Sequence, residues 1–155
     1  MYMKSNQNLR IQQLNDRMKV LSAIRKVSFP PTGWVKAIRL ALGMSLQQLG
    51  NKLGVSKQNV QNMEKREQEG TVSIKALKEV AHAMDMEFVY GFLPKDGTLN
   101  DLIEKQALKL ATEIVMRTAH TMSLEDQANS KKRIARSIKE RTEMIKNEMP
   151  GMLWD

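Results

Sequence analysis

Cysteine is absent from this sequence of 155 residues, and aromatic side chains make up only 5% of it. The absence of cysteine excludes a disulfide scaffold, a thiolate metal site and thiol catalysis. There are only four prolines, and Leu, Ile, Met and Ala supply most of the apolar side chains, a composition that favours helix over sheet. We therefore expect a mostly helical, all-α fold.

Long apolar runs are also missing. No run approaches the roughly 18 residues that a membrane span needs, and the first ten residues, MYMKSNQNLR, lack the apolar region of a signal peptide. A chain without cysteine fits a reducing compartment. We expect a cytoplasmic protein that has no membrane partner.

Patterns typical of enzymes are missing as well. The chain contains no HExxH, P-loop or GxSxG motif, and its two histidines, His82 and His120, lie 38 residues apart. His82 is expected on the buried face of a helix, where packing explains it better than catalysis. We expect no enzyme activity, no cofactor and no metal site.

The basic charge is unevenly distributed along the chain. The formal net charge is +8, and residues 1–44 carry +7 of it, whereas residues 45–97 are neutral and residues 98–155 carry +1. A basic excess suggests a polyanionic partner, although a solvated surface can carry the same charge. Charge alone therefore indicates nucleic acid only weakly.

The apolar spacing predicts a helical arm before a proline-containing linker. Residues 6–26 place Ile11, Leu14, Met18 and Leu21 in a narrow apolar seam, which would pack on the domain or pair with a second copy. Consecutive prolines then end the helix. We predict an arm and linker at 1–32, a central domain at 33–94 and a C-terminal helical extension at 95–155.

Capping signals divide the rest of the chain into further helices. One helix covers residues 34–42 and is expected to direct Trp34, Val35, Ile38, Ala41 and Leu42 inward. Helix starts are predicted at Ser45, Ser56 and Ser73, and capping boxes at Ser45 with Gln48, Thr98 with Asp101 and Ser123 with Asp126. The segment EFVYGFL, residues 87–93, is predicted as one short strand that either pairs across a dimer or packs in an extended form.

The stretch GMSLQQLGNKLGVSKQNVQNME, residues 43–64, has the pattern of a helix-turn-helix. Such a motif needs a small residue where two helices cross, a turn residue that tolerates positive φ, and apolar residues that hold the interhelical angle. The residues predicted in these structural roles are Leu49, Gly50, Leu53, Gly54, Val55, Val60 and Met63. The second helix would then be presented to the major groove of DNA.

The second helix of this motif has more amide and hydroxyl side chains than a core requires. Asn and Ser are poor helix formers, so their choice on an ordinary polar face would lower helix stability. Gln and Asn can pair with adenine, and Lys with guanine. The residues predicted to read bases are Ser56, Lys57, Gln58, Gln61, Asn62 and Lys65.

Contacts to DNA phosphates are expected from the helix before the turn and from nearby cations. Phosphate contacts supply affinity and register without reading sequence. The residues predicted to make them are Ser45, Gln47, Lys52, Lys36, Arg39 and Arg66. Each cation among them could equally be a plain surface residue.

Residues 38–83 resemble the Xre (Cro/repressor-like) DNA-binding domain, including Glu64, where that family commonly has an acidic residue. One departure is Leu46, because the family often has Gln there, on a backbone phosphate; Gln47 is the candidate substitute. The strings GWVKAIRLALGMS, EKREQEGTVSIKAL, FVYGFLP and HTMSLEDQ are similar to the bacterial family named mobile mystery protein A. That resemblance implies a nucleoid-associated antitoxin-like regulator that binds its own promoter and is encoded beside a Fic-domain protein.

The resemblance leaves the route of Fic control open. Fic proteins are often restrained by a helix with Ser or Thr, three residues, Glu, and then Gly or Asn; here Glu69 precedes Gly70, but Lys65 stands where Ser or Thr is needed. Control would be transcriptional or through another surface. An adaptor that docks through its C-terminal tail, Met152 to Trp154, and a stand-alone phage-type repressor are the alternatives.

A homodimer is expected because one recognition helix covers only a few base pairs, so that repressors of this kind pair two half-sites. Three segments are candidates for the dimer interface. They are residues 11–21, 87–93 and 102–115.

Overall fold

The computed structural model describes residues 2–119 and 127–155, and these form seven α-helices and two short 3-10 helices. The α-helices are α1 (Tyr2–Leu21), α2 (Trp34–Ala41), α3 (Leu46–Leu53), α4 (Lys57–Glu69), α5 (Ile74–Ala83), α6 (Leu99–Ala119) and α7 (Gln127–Glu148). The 3-10 helices are Ser22–Lys26 and Gly151–Trp154. The expected all-α fold is confirmed.

The chain divides into two compact units. One unit comprises residues 22–91, and the other combines residues 1–21 with residues 92–155. The sequence predicted three parts at 1–32, 33–94 and 95–155. In the structure the N-terminal arm instead belongs with the C-terminal extension, and the linker belongs with the central domain.

The core of the central unit is formed by α2 to α5. Its buried members are Val35, Leu49, Val60, Val80 and Met84, and the side chains packed around them are Ile38, Met44, Leu46, Leu53, Val55, Met63 and Leu77. This cluster draws on every helix from α2 to α5. It therefore determines how α3 and α4 cross.

Some side chains of this unit lie further out than expected. Trp34 and Leu42 are 45% and 56% exposed, and Ala41 is also exposed. The buried residues of α2 are Val35 and Arg39, four residues apart on one face, and Leu42 is the C-cap beyond the last helical residue. His82 was expected on the buried face of its helix and is likewise exposed on α5.

The caps that the sequence predicts are present. Ser45 Oγ accepts from the Gln48 N–H over 3.1 Å, and Gln48 Oε1 accepts from the Ser45 N–H over 2.8 Å. Ser56 and Ser73 cap α4 and α5, and Thr98 with Asp101 caps α6. The capping box expected at Ser123 and Asp126 lies outside the described residues.

The sequence predicts a short strand at residues 87–93 that either pairs across a dimer or packs in an extended form. Within one copy, in the part of the chain that the structure describes, no strand forms there and the segment is extended without strand pairing. Residues 87–91 make no backbone hydrogen bond to another described residue. A strand needs a neighbour for its N–H and C=O groups. Within one copy of this chain the segment has none.

The other unit is built on the antiparallel packing of α6 and α7. Ala107 and Ala111 of α6 lie buried with Ile145 of α7, and Leu153 of the C-terminal tail closes the cluster at 2% exposure. The arm α1 is tied to the start of α6, because Asn15 Oδ1 accepts from the Leu99 N–H over 3.0 Å. No helix among the described residues is long and apolar enough to cross a membrane.

The crossing of α3 and α4 predicts a large effect of a single methyl group. A Cβ on Gly50 would lie 2.7 Å from the Val55 carbonyl oxygen, so Gly50→Ala should destabilise the domain by about 1–3 kcal/mol through overpacking. Urea unfolding followed by circular dichroism measures this change. Gly151→Ala is the control, since its Cβ would meet nothing within 4 Å, and equal effects of the two substitutions would refute the close crossing.

Candidate nucleic-acid interface

The helices α3 and α4 are joined by a tight turn that depends on two glycines. Gly54 ends α3 in the left-handed conformation at φ 70°, and the Val55 N–H then donates to the Gly50 carbonyl over 2.9 Å. Gly50 is buried and leaves no space for a side chain against the turn. Since Leu49 and Val60 are fully buried on either side of the turn, the angle between the helices is held by packing.

A buried ion pair attaches α4 to α2. The Arg39 Nε–H donates to Glu64 Oε1 over 2.6 Å, and the Nη2–H donates to Oε2 over 3.1 Å. A third donor, Nη1–H, reaches the Met44 carbonyl over 3.0 Å. The hydrogen bond to Glu64 raises the pKa of Arg39 against the opposing effect of burial, so the guanidinium stays charged.

A second carboxylate attaches α4 to the other end of α2. Glu67 Oε1 and Oε2 accept from the backbone N–H groups of Trp34 and Val35 over 2.7 and 3.0 Å. These are the first two residues of α2, and the preceding Gly33 offers no side-chain cap. Glu67 therefore serves as a cap from another helix, and its charge lies favourably at a helix N-terminus. Gly33 suits this place because a Cβ there would lie 2.9 Å from the carboxylate.

The opposite face of α4 is polar and exposed. Gln58, Asn62 and Lys65 are all exposed on it, one turn apart, so they project from the side away from Val60 and Glu64. The Gln58 Nε2–H donates to Asn62 Oδ1 over 3.3 Å. Lys65 Nζ lies 3.8 Å from Glu69 Oε1, and both side chains are exposed. These side chains form the centre of what we call the reading face.

The remaining predicted base-reading residues flank this centre. Ser56 is the N-cap of α4, and its Oγ accepts from the Asn59 N–H over 3.2 Å, so its hydroxyl already has a structural role. Lys57 and Gln61 are exposed. Lys36 of α2 joins the reading face, where it lines a shallow polar depression with Gln58, Gln61, Asn62, Lys65 and Gln68.

The residues predicted to contact phosphate fall into two groups. Ser45, Gln47, Lys52, Lys36 and Arg66 are exposed, and Gln47 Nε2–H donates to Asn51 Oδ1 over 2.9 Å. Arg39 differs from them, being only 7% exposed and held by Glu64 and the Met44 carbonyl. A guanidinium in this position holds α4 in place, and we leave Arg39 out of the phosphate-contacting set.

Sequence reasoning missed the roles of two carboxylates. Glu64 and Glu67 both serve as anchors of α4, yet their partners lie 25 to 33 residues earlier in the chain. No local spacing signals contacts over such a separation. The one available sign is weak: an apolar helix start at Trp34 that lacks any capping side chain of its own.

A helix-turn-helix family model matches residues 35–90, which covers α2 to α5 and most of the extended segment. Residues 35–90 are a helix-turn-helix domain of the Xre/lambda-repressor-like type. This family is one of DNA-binding regulatory domains and not of enzymes, and it supports a DNA-binding regulator of transcription. No curated protein and no solved structure matches the chain.

The buried ion pair predicts an asymmetric response to two similar substitutions. Glu64→Gln removes the charge that compensates a buried guanidinium and should destabilise the helix-turn-helix domain by about 3 kcal/mol. Glu69→Gln, on the same helix, breaks only an exposed pair and should cost less than about 0.5 kcal/mol. Urea unfolding of both variants compares them directly. An equally mild Glu64→Gln would show that the pair does not hold α4.

Proposed function

We propose that this protein binds double-stranded DNA in a sequence-specific manner through the reading face of α4. The observation that carries the proposal is the division of α4 into two faces. One face is anchored by Val60, Glu64 and Glu67, whereas the other presents exposed amides and a lysine. A rigidly anchored helix with free amide side chains suits readout in the major groove, where Gln and Asn recognise adenine and Lys recognises guanine.

In this proposal Gln58, Asn62 and Lys65 read bases, with Ser56, Lys57 and Gln61 contributing from the flanks. The phosphate contacts come from the exposed Ser45, Gln47, Lys52, Lys36 and Arg66. Residues 45–97, which include α3 and α4, contain seven acidic and seven basic residues. In this proposal specificity therefore depends on these few side chains and not on a broad basic surface.

We further propose that the protein is an autorepressor that works as a homodimer and acts as the antitoxin of a Fic-domain partner. The support for the Fic connection is the resemblance to mobile mystery protein A, carried by strings that extend from Gly33 to Gln127. Symmetric repressors of this type need two recognition helices for two half-sites, which supports the dimer.

A direct role in neutralising the Fic partner is the second candidate. It is supported by the separate C-terminal unit, where Leu153 anchors a tail that leaves Met152 and Trp154 each 54% exposed. An exposed Trp beside a buried anchor suits a binding hot spot. Co-expression of the Fic partner with Trp154→Ala tests it: continued toxicity with unchanged promoter binding supports direct neutralisation, and full protection contradicts it.

The reading face predicts which double substitution abolishes promoter recognition. Gln58→Ala with Asn62→Ala should reduce specific operator binding by about 100-fold, since two bidentate base contacts of roughly 1–3 kcal/mol each are lost. Binding to unrelated DNA should stay unchanged. A mobility-shift titration at constant salt measures both affinities.

The matched control for this variant is Gln13→Ala with Asn147→Ala, the same pair of residue types at exposed positions of α1 and α7. Circular dichroism verifies that both variants fold. If the α4 variant binds its operator as tightly as the control does, the base-reading assignment is wrong.

A phosphate contact has a different signature. Lys52→Ala should weaken binding to specific and unrelated DNA alike and lower the slope of log affinity against log salt by about 1. Lys75→Ala, a change of the same type at an exposed position on α5, should leave the slope unchanged. A salt titration in which the two variants behave alike would remove Lys52 from the interface.

A further inference from the structure

The central unit has an apolar groove that its own side chains leave open. The groove has a volume of about 640 Å³, and its floor includes Leu77, Val80 and Met84. The extended segment that follows α5, residues 86–91, forms one wall, and the start of α2 lies on another. The groove is distinct from the reading face, with which it shares no lining residue.

The rim of the groove is apolar and solvent-exposed. Ile24, Phe29, Trp34, Met86, Val89 and Tyr90 line it, and each is between 38% and 68% exposed. A whole aromatic side chain has about 150–250 Å² of surface to bury. At the exposed fractions of these six side chains, covering the rim would remove roughly 600 Å² of surface from water on one copy. That area is comparable to the ~800 Å² per partner of a standard protein interface.

The backbone of residues 87–91, in the wall of the groove, indicates what kind of molecule covers the groove. Residues 87–91 are extended, and none of their N–H or C=O groups bonds to another described residue. Unpaired extended backbone is a template for another strand. A small apolar molecule would fill the groove but would leave these donors and acceptors unpaired.

We propose that a second copy of this chain covers the groove, with residues 87–91 of the two copies paired as antiparallel strands around Val89. This interface deepens the proposed function, on which it rests, because a two-fold protein presents two recognition helices to two half-sites. It assigns the dimer to one of the three segments that the sequence left open.

The register around Val89 is self-complementary. It places Phe88 of one copy opposite Tyr90 of the other, and these two rings already stack at 5.9 Å within one chain. Glu87, the one charged residue of the paired segment, faces Gly91. The two Glu87 carboxylates then lie about 13 Å apart along the strands, four residues at about 3.3 Å each, where salt screens their repulsion.

A cysteine substitution tests this register because the natural chain has no cysteine. Val89→Cys places two thiols across the two-fold axis at about 4.5–5.5 Å between Cα atoms, which a disulfide can span. Under mild oxidation most of the full chain should become a disulfide-linked dimer at twice 17.7 kDa in non-reducing electrophoresis. Lys75→Cys, exposed on the far side of α5, is the control and should cross-link at least about tenfold less. Equal cross-linking of both variants overturns the proposal.

A charge substitution tests the interface without a cross-link. Val89→Lys sets two ammonium groups against each other and should raise the dimer dissociation constant by about 100-fold in sedimentation equilibrium. Leu40→Lys is matched to it, since Leu40 is an apolar residue 57% exposed outside the groove, and should not change that constant. A wild-type chain that stays monomeric, or a Val89→Lys chain that dimerises like the wild type, overturns the proposal. Both readouts are free of DNA, so a failure of base reading by Gln58 and Asn62 is distinguished from a failure of this interface.

Discussion

The buried pair of Arg39 and Glu64 is the interaction on which the orientation of α4 depends. Its two hydrogen bonds, at 2.6 and 3.1 Å, join α2 to the middle of α4 in surroundings that are less than one-tenth exposed. A buried charge left without its partner is costly, so the two helices are held together in one arrangement. The same guanidinium bonds to the Met44 carbonyl, and this ties the loop before α3 to the pair.

Anchoring by one face leaves the other face of α4 free for function. One turn later on α4, the carboxylate of Glu67 also bonds to α2, where it caps the start of that helix. With Val60 completely buried, the helix has little freedom to rotate. The outward amides therefore keep a constant position without contributing to the core. Base recognition requires such rigid presentation, because a hydrogen bond to a base edge tolerates little displacement.

The local features of this fold were predictable from neighbouring residues. A Ser followed by Gln three positions later predicts the cap of α3, and Gly54 predicts the turn, because both effects act within a few residues of the backbone. The apolar spacing likewise predicts Leu49 and Val60 as core residues, and both are fully buried. Local sequence was insufficient for the extended segment after α5: β-branched and aromatic residues favour a strand, but pairing needs a neighbour that local sequence does not supply.

By itself the sequence determined the helices, their caps, the glycine turn and the division of α4 into apolar and amide-bearing faces, because each depends on contacts within one or two turns of chain. Only the tertiary structure decided that Arg39 is buried against Glu64, that Glu67 caps α2, and that the N-terminal arm packs with the C-terminal unit. Those outcomes depend on residues separated by 25 or more positions, whose meeting is set by core packing and leaves no periodic signal in the chain.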